Sequence, residues 1–297
     1  GSELVATSAE VKRTVDDPAW STVKLEHRCD TLRVFFSAWT KNHHDKKLFE
    51  VQIRGREDGV RRPLAIFLDK PLSFSYRGGE YNLHGYKTEL SSEVVNLQRT
   101  VVITGDHDKF DSEQRGLHTI MAFPGAVLRM TYMRVEFCGQ RETEGRYCLH
   151  QHYLSHCPQC VLKGNVVDTS HHRGLAVHGT HDSLVQENVL WDARLVGIYI
   201  EDGNEMNNTI YRNVVICSVY KRCQQREESG IYIIGMWNDF IENRVVHYPI
   251  NVFTPGGHRP NGQGAASGKV CPENVPLRTY RGNTLHNGYK WGLYLNN

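Results

Sequence analysis

The sequence predicts an all-β chain, a right-handed parallel β-helix (a pectin-lyase-like solenoid) with a β-rich capping region ahead of it. Three observations predict this. A Gly-aliphatic-any-aliphatic strand recurs, an Asn-apolar step recurs between those strands, and helix-length periodic segments are scarce.

The first pattern reads Gly174-Leu175-Ala176-Val177, Gly197-Ile198-Tyr199-Ile200, Gly230-Ile231-Tyr232-Ile233 and Gly292-Leu293-Tyr294-Leu295. The second reads Asn165-Val166, Asn188-Val189 and Asn213-Val214, then more loosely Asn243-Arg244-Val245 and Asn283-Thr284-Leu285. The first two glycines stand 23 residues apart, the first asparagines 23 and 25. A period of about 20–25 residues suits one coil of a solenoid, with rungs stacked about 4.8 Å apart. Aliphatic positions then face the interior. Asparagines stack at a corner, where amides bond between rungs and tolerate turn dihedrals.

The repeat is clear from about Gly145 and assigns residues 116–297 to the solenoid. Residues 1–115 are read as a β-rich region that packs on or caps it. Val51-Gln52-Ile53, Leu64 to Leu68 and Val101-Val102-Ile103 are its strands, with Asp45 to Lys47 and Glu57 to Arg62 as hydrophilic loops. Pro255-Gly256-Gly257 through Gly268 reads as a Gly-rich insertion projecting from a rung. Gly1-Ser2 reads as a cloning remnant, and the strand-like Trp291 to Asn297 implies that the native chain continues beyond it.

Composition narrows the function classes. Hydrophobic residues make up 39% of the 297, enough for a sizeable core. A formal net charge of +2 lacks the basic excess of a nucleic-acid binder, so nucleic acid is not an expected partner. No apolar run reaches the roughly 18 residues that span a bilayer, so no membrane insertion is expected of this segment. Eight cysteines (Cys29, Cys138, Cys148, Cys157, Cys160, Cys217, Cys223, Cys271) point to disulfides and a secreted or cell-surface setting. Asn207-Asn208-Thr209 is a glycosylation sequon in keeping with that.

Aligning rungs by their glycines yields a candidate site. Leu175 and Val177 point inward, so His178 points out; Glu201 and Ile234 take the same offset one and two rungs later. In the preceding rung, Tyr147 and Leu149 are placed inward and Cys148, His150 and His152 outward. The expected outward file is His150, His178, Glu201, Ile234, with Asp202 and Glu205 at the strand end and Arg173 entering the rung. Histidines and carboxylates in one file suit proton transfer, since neighbouring carboxyls have their pKa values pushed apart. The same set suits a divalent metal: zinc on His150, His152 and His178, or calcium on Glu201, Asp202 and Glu205. Cys157-Pro158-Gln159-Cys160 is half of a zinc site, a redox pair or a disulfide. Tyr199, Tyr232 and Tyr294, outward on successive rungs, are candidate sugar-stacking platforms.

These residues also carry a resemblance. Leu97-Gln98-Arg99-Thr100 through Asp106, Gly116-Leu117-His118-Thr119, Val135-Glu136-Phe137 with Gly139-Gln140, Gly145-Arg146-Tyr147 through His152, Val177-His178-Gly179-Thr180, and Glu201-Asp202-Gly203 with Glu205 and Asn208-Thr209 occur in an order similar to the cell-surface hyaluronidase family. That family includes the cell-migration-inducing hyaluronan-binding protein, the transmembrane hyaluronidase and the fibrocystin-like receptors. The likeness runs from about Glu89 to Val214. It implies a β-helix ectodomain and, for some members, cleavage of hyaluronan; fibrocystin-like members have no established reaction. Arg99 and Asp106 become candidate substrate-binding residues on this ground alone.

The expected function is therefore an extracellular glycosidase of hyaluronidase type acting on an acidic polysaccharide. Glu201 or Asp202 serves as acid or nucleophile, with His150, His152 and His178 relaying protons. Arg173 grips a substrate carboxylate, and Glu205, Tyr199 and Tyr232 line the subsites. The alternative is a non-catalytic glycan-binding or receptor ectodomain on the same scaffold.

Overall fold

The computed structural model describes residues 95–97, 99–217, 223, 229–255 and 260–296, together with the backbone of the strands between Lys12 and Leu90 and the turn at 84–85. The chain divides into two compact units, Gly1–Gln98 and Arg99–Asn297.

In the first unit, five strands form an antiparallel sheet ordered Lys12–Arg13, Trp20–Thr22, Ala65–Leu68, Lys47–Ile53, Thr31–Phe36. Gly79–Leu83 and Tyr86–Leu90 pair as a hairpin. The strands expected at Val51 to Ile53 and Leu64 to Leu68 are present, except that Leu64 lies outside the described residues. Lys47 opens a strand instead of closing a loop. The loop expected at Glu57 to Arg62 also lies outside the described residues.

The second unit is a parallel β-helix with three sheets. The first stacks Arg129–Thr131, Val161–Lys163, Leu184–Gln186, Thr209–Tyr211, Asp239–Ile241 and Thr279–Arg281. The second stacks Val101–Thr104, Met133–Cys138, Val166–Ser170, Val189–Ala193, Val214–Ile216, Arg244–Val246 and Thr284–His286. The third stacks Met121–Ala122, Leu149–His156, Leu175–His181, Val196–Ile200, Ser229–Ile233, Ile250–Thr254 and Trp291–Leu295. Each coil contributes one strand to each sheet. Val101–Thr104 pairs in parallel with Met133–Cys138, so the ladder already includes residues that the sequence reading set before position 116.

The inward column of the third sheet runs Leu149, Leu175, Ile198, Ile231, Val252, as the glycine alignment anticipates. These side chains join Val135, Leu162, Val167, Val185, Leu190, Ile210, Val215 and Phe240 in one core along the coil axis. Gly174, Gly197 and Gly230 are set by close approach. A Cβ on Gly197 would stand 2.4 Å from the Gly230 carbonyl and 2.2 Å from a Val215 methyl.

At the corner between the first and second sheets the predicted asparagines stack. Asn188 Oδ1 accepts the backbone N–H of Asn165 at 2.9 Å, and Asn188 donates through Nδ2 to Leu162 O at 2.8 Å and Asn213 Oδ1 at 3.0 Å. Asn213, Asn243 and Asn283 repeat the pattern. A second ladder, Ser183–Asn208–Asn238, lines the corner between the third and first sheets. Asn208 belongs to the sequon, and its neighbour Asn207 is exposed.

Among the described residues the disulfides are Cys138–Cys148, Cys157–Cys160 and Cys217–Cys223, with Cys271 free and exposed. Cys29 lies outside the described residues. The Cys-Pro-Gln-Cys pair is thus a disulfide, and its sulfurs are not metal ligands. No helix among the described residues is long and apolar enough to cross a membrane.

Candidate functional site

The register of the third sheet corrects the expected file. His152, not His150, pairs with His178, while His150 pairs with Ala176. The backbone N–H of Glu201 bonds to Val177 O and that of Ile234 to Ile200 O, which sets Glu201 beside His178 and Ile234 beside Glu201. The outward file is His152, His178, Glu201, Ile234. His150 heads the adjacent file His150, Ala176, Tyr199, Tyr232, Phe253, Tyr294. The slip arises at the corner before the strand. Cys148 turns into the core, where it is bonded to Cys138, and Tyr147 turns outward into a satellite cluster with Ala176, Tyr199 and Tyr232. This reverses the orientations expected for both residues.

The three imidazoles nevertheless meet. The rings of His150 and His178 are parallel with centroids 5.7 Å apart, and His152 stands edge-on to both, at 4.8 Å and 4.7 Å. His152 Nδ1 lies 3.3 Å from His150 Nε2 and 3.0 Å from His178 Nδ1. The outer nitrogens are held by oxygens: His150 Nδ1 is 3.0 Å from Gly145 O, and His178 Nε2 is 3.0 Å from Asp202 Oδ1. Burial pulls the His150 pKa down to about 3. Burial and the neighbouring His178 also lower that of His152. Burial opposes a charge on His178, but the Asp202 and Glu201 carboxylates beside it hold its pKa above the ordinary imidazole range.

Glu201 places Oε2 3.5 Å from His178 Nδ1, and its Oε1 accepts the Tyr147 hydroxyl at 3.2 Å. Burial raises its pKa against the pull of His178 and Arg173. Tyr153, at a positive φ of 54°, lays its ring 4.2 Å from that of His178. The segment expected to project from a rung instead contains a short helix, Gly262–Ser267, that packs onto the site. The Gln263 N–H bonds to Asp202 Oδ2 at 3.2 Å, and Asn261 N–H to Asp202 O at 3.0 Å. Gly262, at φ +47°, is required by this approach. A Cβ there would stand 2.5 Å from Asp202 Oδ2 and 2.6 Å from the Tyr153 hydroxyl.

The remaining expected binding residues are committed elsewhere. Arg173 is 3% exposed; its Nη1 donates to Glu144 Oε2 and to the Tyr147 hydroxyl, both at 2.5 Å, and its guanidinium lies 3.9 Å from the Tyr199 ring centre. Tyr199 and Tyr232 are 3% and 2% exposed, packed against each other and Phe253, so they are not stacking platforms for sugars. Glu205 is buried and accepts the backbone N–H groups of Gly179, Asp202 and Gly203; burial pushes its pKa up to about 7. It shapes the acidic loop and does not face a ligand. Arg99 donates to Gly164 O at 2.7 Å, and Asp106 caps the helix His107–Glu113. Neither is hydrogen-bonded into the histidine cluster.

Residues 114–233 match the family model described as CEMIP beta-helix. Over those residues the coil resembles a CEMIP-type β-helix. The match covers His150, His152, His178 and Glu201, the residues brought together on the third sheet. The chain is 26% identical over 249 residues to Protein rliB of Dictyostelium discoideum, covering 76% of this chain and 21% of that protein. It is 24% identical over 277 residues to Fibrocystin-L of Mus musculus, covering 77% of this chain and 6% of that protein. A G8 domain-containing protein of Dictyostelium discoideum is 26% identical over 246 residues, with 75% and 21% covered. This chain thus spans about a fifth or less of the length of these relatives.

Sequence reasoning missed Tyr147, Glu144, Tyr153 and Gln263 as members of the site. Gly145, at a positive φ of 80°, ends the turn before Tyr147, and a turn there is the signal that allows the face to switch. Nothing local announces Gln263, which reaches Asp202 from 61 residues away.

Proposed function

We propose that this face cleaves the glycosidic bonds of an acidic polysaccharide of hyaluronan type in an extracellular setting, with Glu201 as proton donor. The observation that carries this reading is one continuous line of groups. Tyr147 OH, Glu201, His178 and Asp202 follow one another at 3.2, 3.5 and 3.0 Å. A carboxyl and a carboxylate on either side of an imidazole give the proton two distinct addresses, as acid–base chemistry needs. In hydrolysis Glu201 gives its proton to the glycosidic oxygen as the bond to the anomeric carbon breaks. Water adds at that carbon, and the His178–Asp202 pair takes up the proton that the water loses. His152 and Tyr153, both partly exposed, stand on the side open to a sugar. The disulfides and the likeness to fibrocystin-like proteins support the extracellular setting.

A non-catalytic ectodomain is the second reading, favoured by the burial of Arg173 and Asp202 and by the helix laid over Asp202. Incubation with hyaluronan, followed by chain length, tests both. The first reading expects shortening by the wild type and none by Glu201→Gln with an unchanged melting temperature. Retention of hyaluronan at constant length would overturn it in favour of the second.

A further inference from the structure

We propose that His150 Nε2, His152 Nδ1 and His178 Nδ1 form a binding site for a divalent transition metal of the zinc class, with Glu201 beside its fourth position. The proposal stands apart from the cleavage reading, since such an ion serves a structural site as well as a reactive one. One ring nitrogen from each of the three histidines lies within 4.8 Å of the others. In a tetrahedron with Zn–N bonds of about 2.0–2.1 Å, nitrogens stand about 3.3–3.4 Å apart. The observed separations of 3.3 and 3.0 Å from His152 Nδ1 are close to that edge.

Proton arrangement gives the second argument. The Gly145 carbonyl fixes the proton of a neutral His150 on Nδ1, so a bare Nε2 faces His152 Nδ1, and Asp202 Oδ1 stands 3.0 Å from His178 Nε2. A single hydrogen among the three inner nitrogens, on His152 or on His178, serves one contact and leaves a lone pair facing a nitrogen at the other. A cation at the centre satisfies all three. An outer nitrogen held by a carbonyl or carboxylate while the inner one faces a cation is how metal-binding imidazoles are oriented. Glu201 Oε2, buried and without a hydrogen-bond partner, lies 3.5 Å from His178 Nδ1 and is the nearby carboxylate able to complete the set. Three nitrogen donors select zinc-class ions over calcium, whose ligands are oxygens. This disfavours the calcium expectation for the loop as well, because Glu205 spends both oxygens on backbone N–H groups.

The test uses the whole chain carrying Cys271→Ser, which removes the exposed thiol as a competing ligand. Stripped of metal by chelation, it is titrated calorimetrically with Zn2+, and separately with Co2+ followed by visible absorption. The expected result is one equivalent of Zn2+ bound, a raised melting temperature, and the intense bands of four-coordinate Co2+. His152→Ala and His152→Gln, at the least buried ligand, are expected to fold and to lose that equivalent. Absence of stoichiometric binding, equal binding by the folded variants, or Ca2+ stabilising in place of Zn2+ would overturn the proposal. If neither variant folds, X-ray absorption of the zinc-loaded chain decides. Imidazole scatterers at about 2.0–2.1 Å support it, and a shell without imidazole sinks it. Hyaluronan is absent from every arm, so the outcome is separate from that of the cleavage assay.

Discussion

Asp202 Oδ1 lies 3.0 Å from His178 Nε2, while the other oxygen of the same carboxylate accepts the N–H of Gln263 at 3.2 Å. One side chain therefore orients the imidazole and anchors the helix that covers it. Asp202→Ala is expected to cost about 1–3 kcal/mol through the buried donors it strands. Hydrogen exchange should quicken at the Gln263 amide but less at Asn261, which bonds to the Asp202 backbone carbonyl. Equal change at both amides would contradict this anchoring.

Tyr232 packs against Tyr199 and Phe253 with ring centres 5.1 and 5.2 Å away. Tyr232→Ala is expected to destabilise the coil by about 3–5 kcal/mol, as for a buried aromatic. Any affinity of the folded protein for hyaluronan should stay unchanged. Denaturant unfolding paired with a binding assay on folded material separates the two; a loss of affinity without loss of stability would restore the stacking role.

Asn188→Ala removes the acceptor of the buried Asn165 N–H and the donor to Leu162 O. Each stranded group costs about 1–3 kcal/mol, so the variant should lose about 2–6 kcal/mol. A midpoint in urea within error of the wild type would show that the ladder adds nothing.

Gly197→Ala sets a methyl against the Gly230 carbonyl and Val215. Overpacking of this kind costs about 1–3 kcal/mol when neighbours can move. Here one obstacle is backbone, so a lowered melting temperature with poor recovery of folded protein is expected.

His171 donates from Nε2 to Phe110 O at 2.7 Å and accepts Arg194 Nη1 on Nδ1 at 2.7 Å. Burial, then Arg194, pull its pKa down to about 4. Between that value and the ordinary 6.5 the unfolded chain holds a proton that the folded one lacks, so stability falls as pH drops through this window. Substituting His171→Gln should reduce the stability difference between pH 7 and pH 4.5. Unfolding curves at both pH values check it; an undiminished difference would place the acid sensitivity elsewhere.

The coil was legible because its signals repeat: glycines mark close rung approach, asparagines mark a corner, and alternating aliphatics mark the inward column. His178, Glu201 and Ile234 were aligned correctly because each follows a glycine by the same number of residues. His150 and His152 were interchanged because the preceding corner holds a disulfide and a face-switching tyrosine, neither of which has a periodic signature. The burial of Arg173, Tyr199 and Tyr232 was hidden for another reason. Alternation tells which side of a sheet a residue takes, not whether something distant in sequence covers that side. Gln263 over Asp202 is a case of such cover, and Glu144 against Arg173 another. The second ladder escaped notice because it opens on Ser183 in place of an asparagine, and its asparagines precede the polar Thr209 and Asp239.

In the column from Asn165 to Asn283 the carboxamide oxygens turn toward the previous coil, and from Asn165 to Asn243 each turns an N–H toward the next. Their dipoles consequently add along the axis, negative toward Asn165 and positive toward Asn283, and each polarises its neighbour. The solenoid is an electrically oriented object. A neutral side chain inserted midway would divide that field into two shorter, weaker segments, so its influence would extend to coils it never touches.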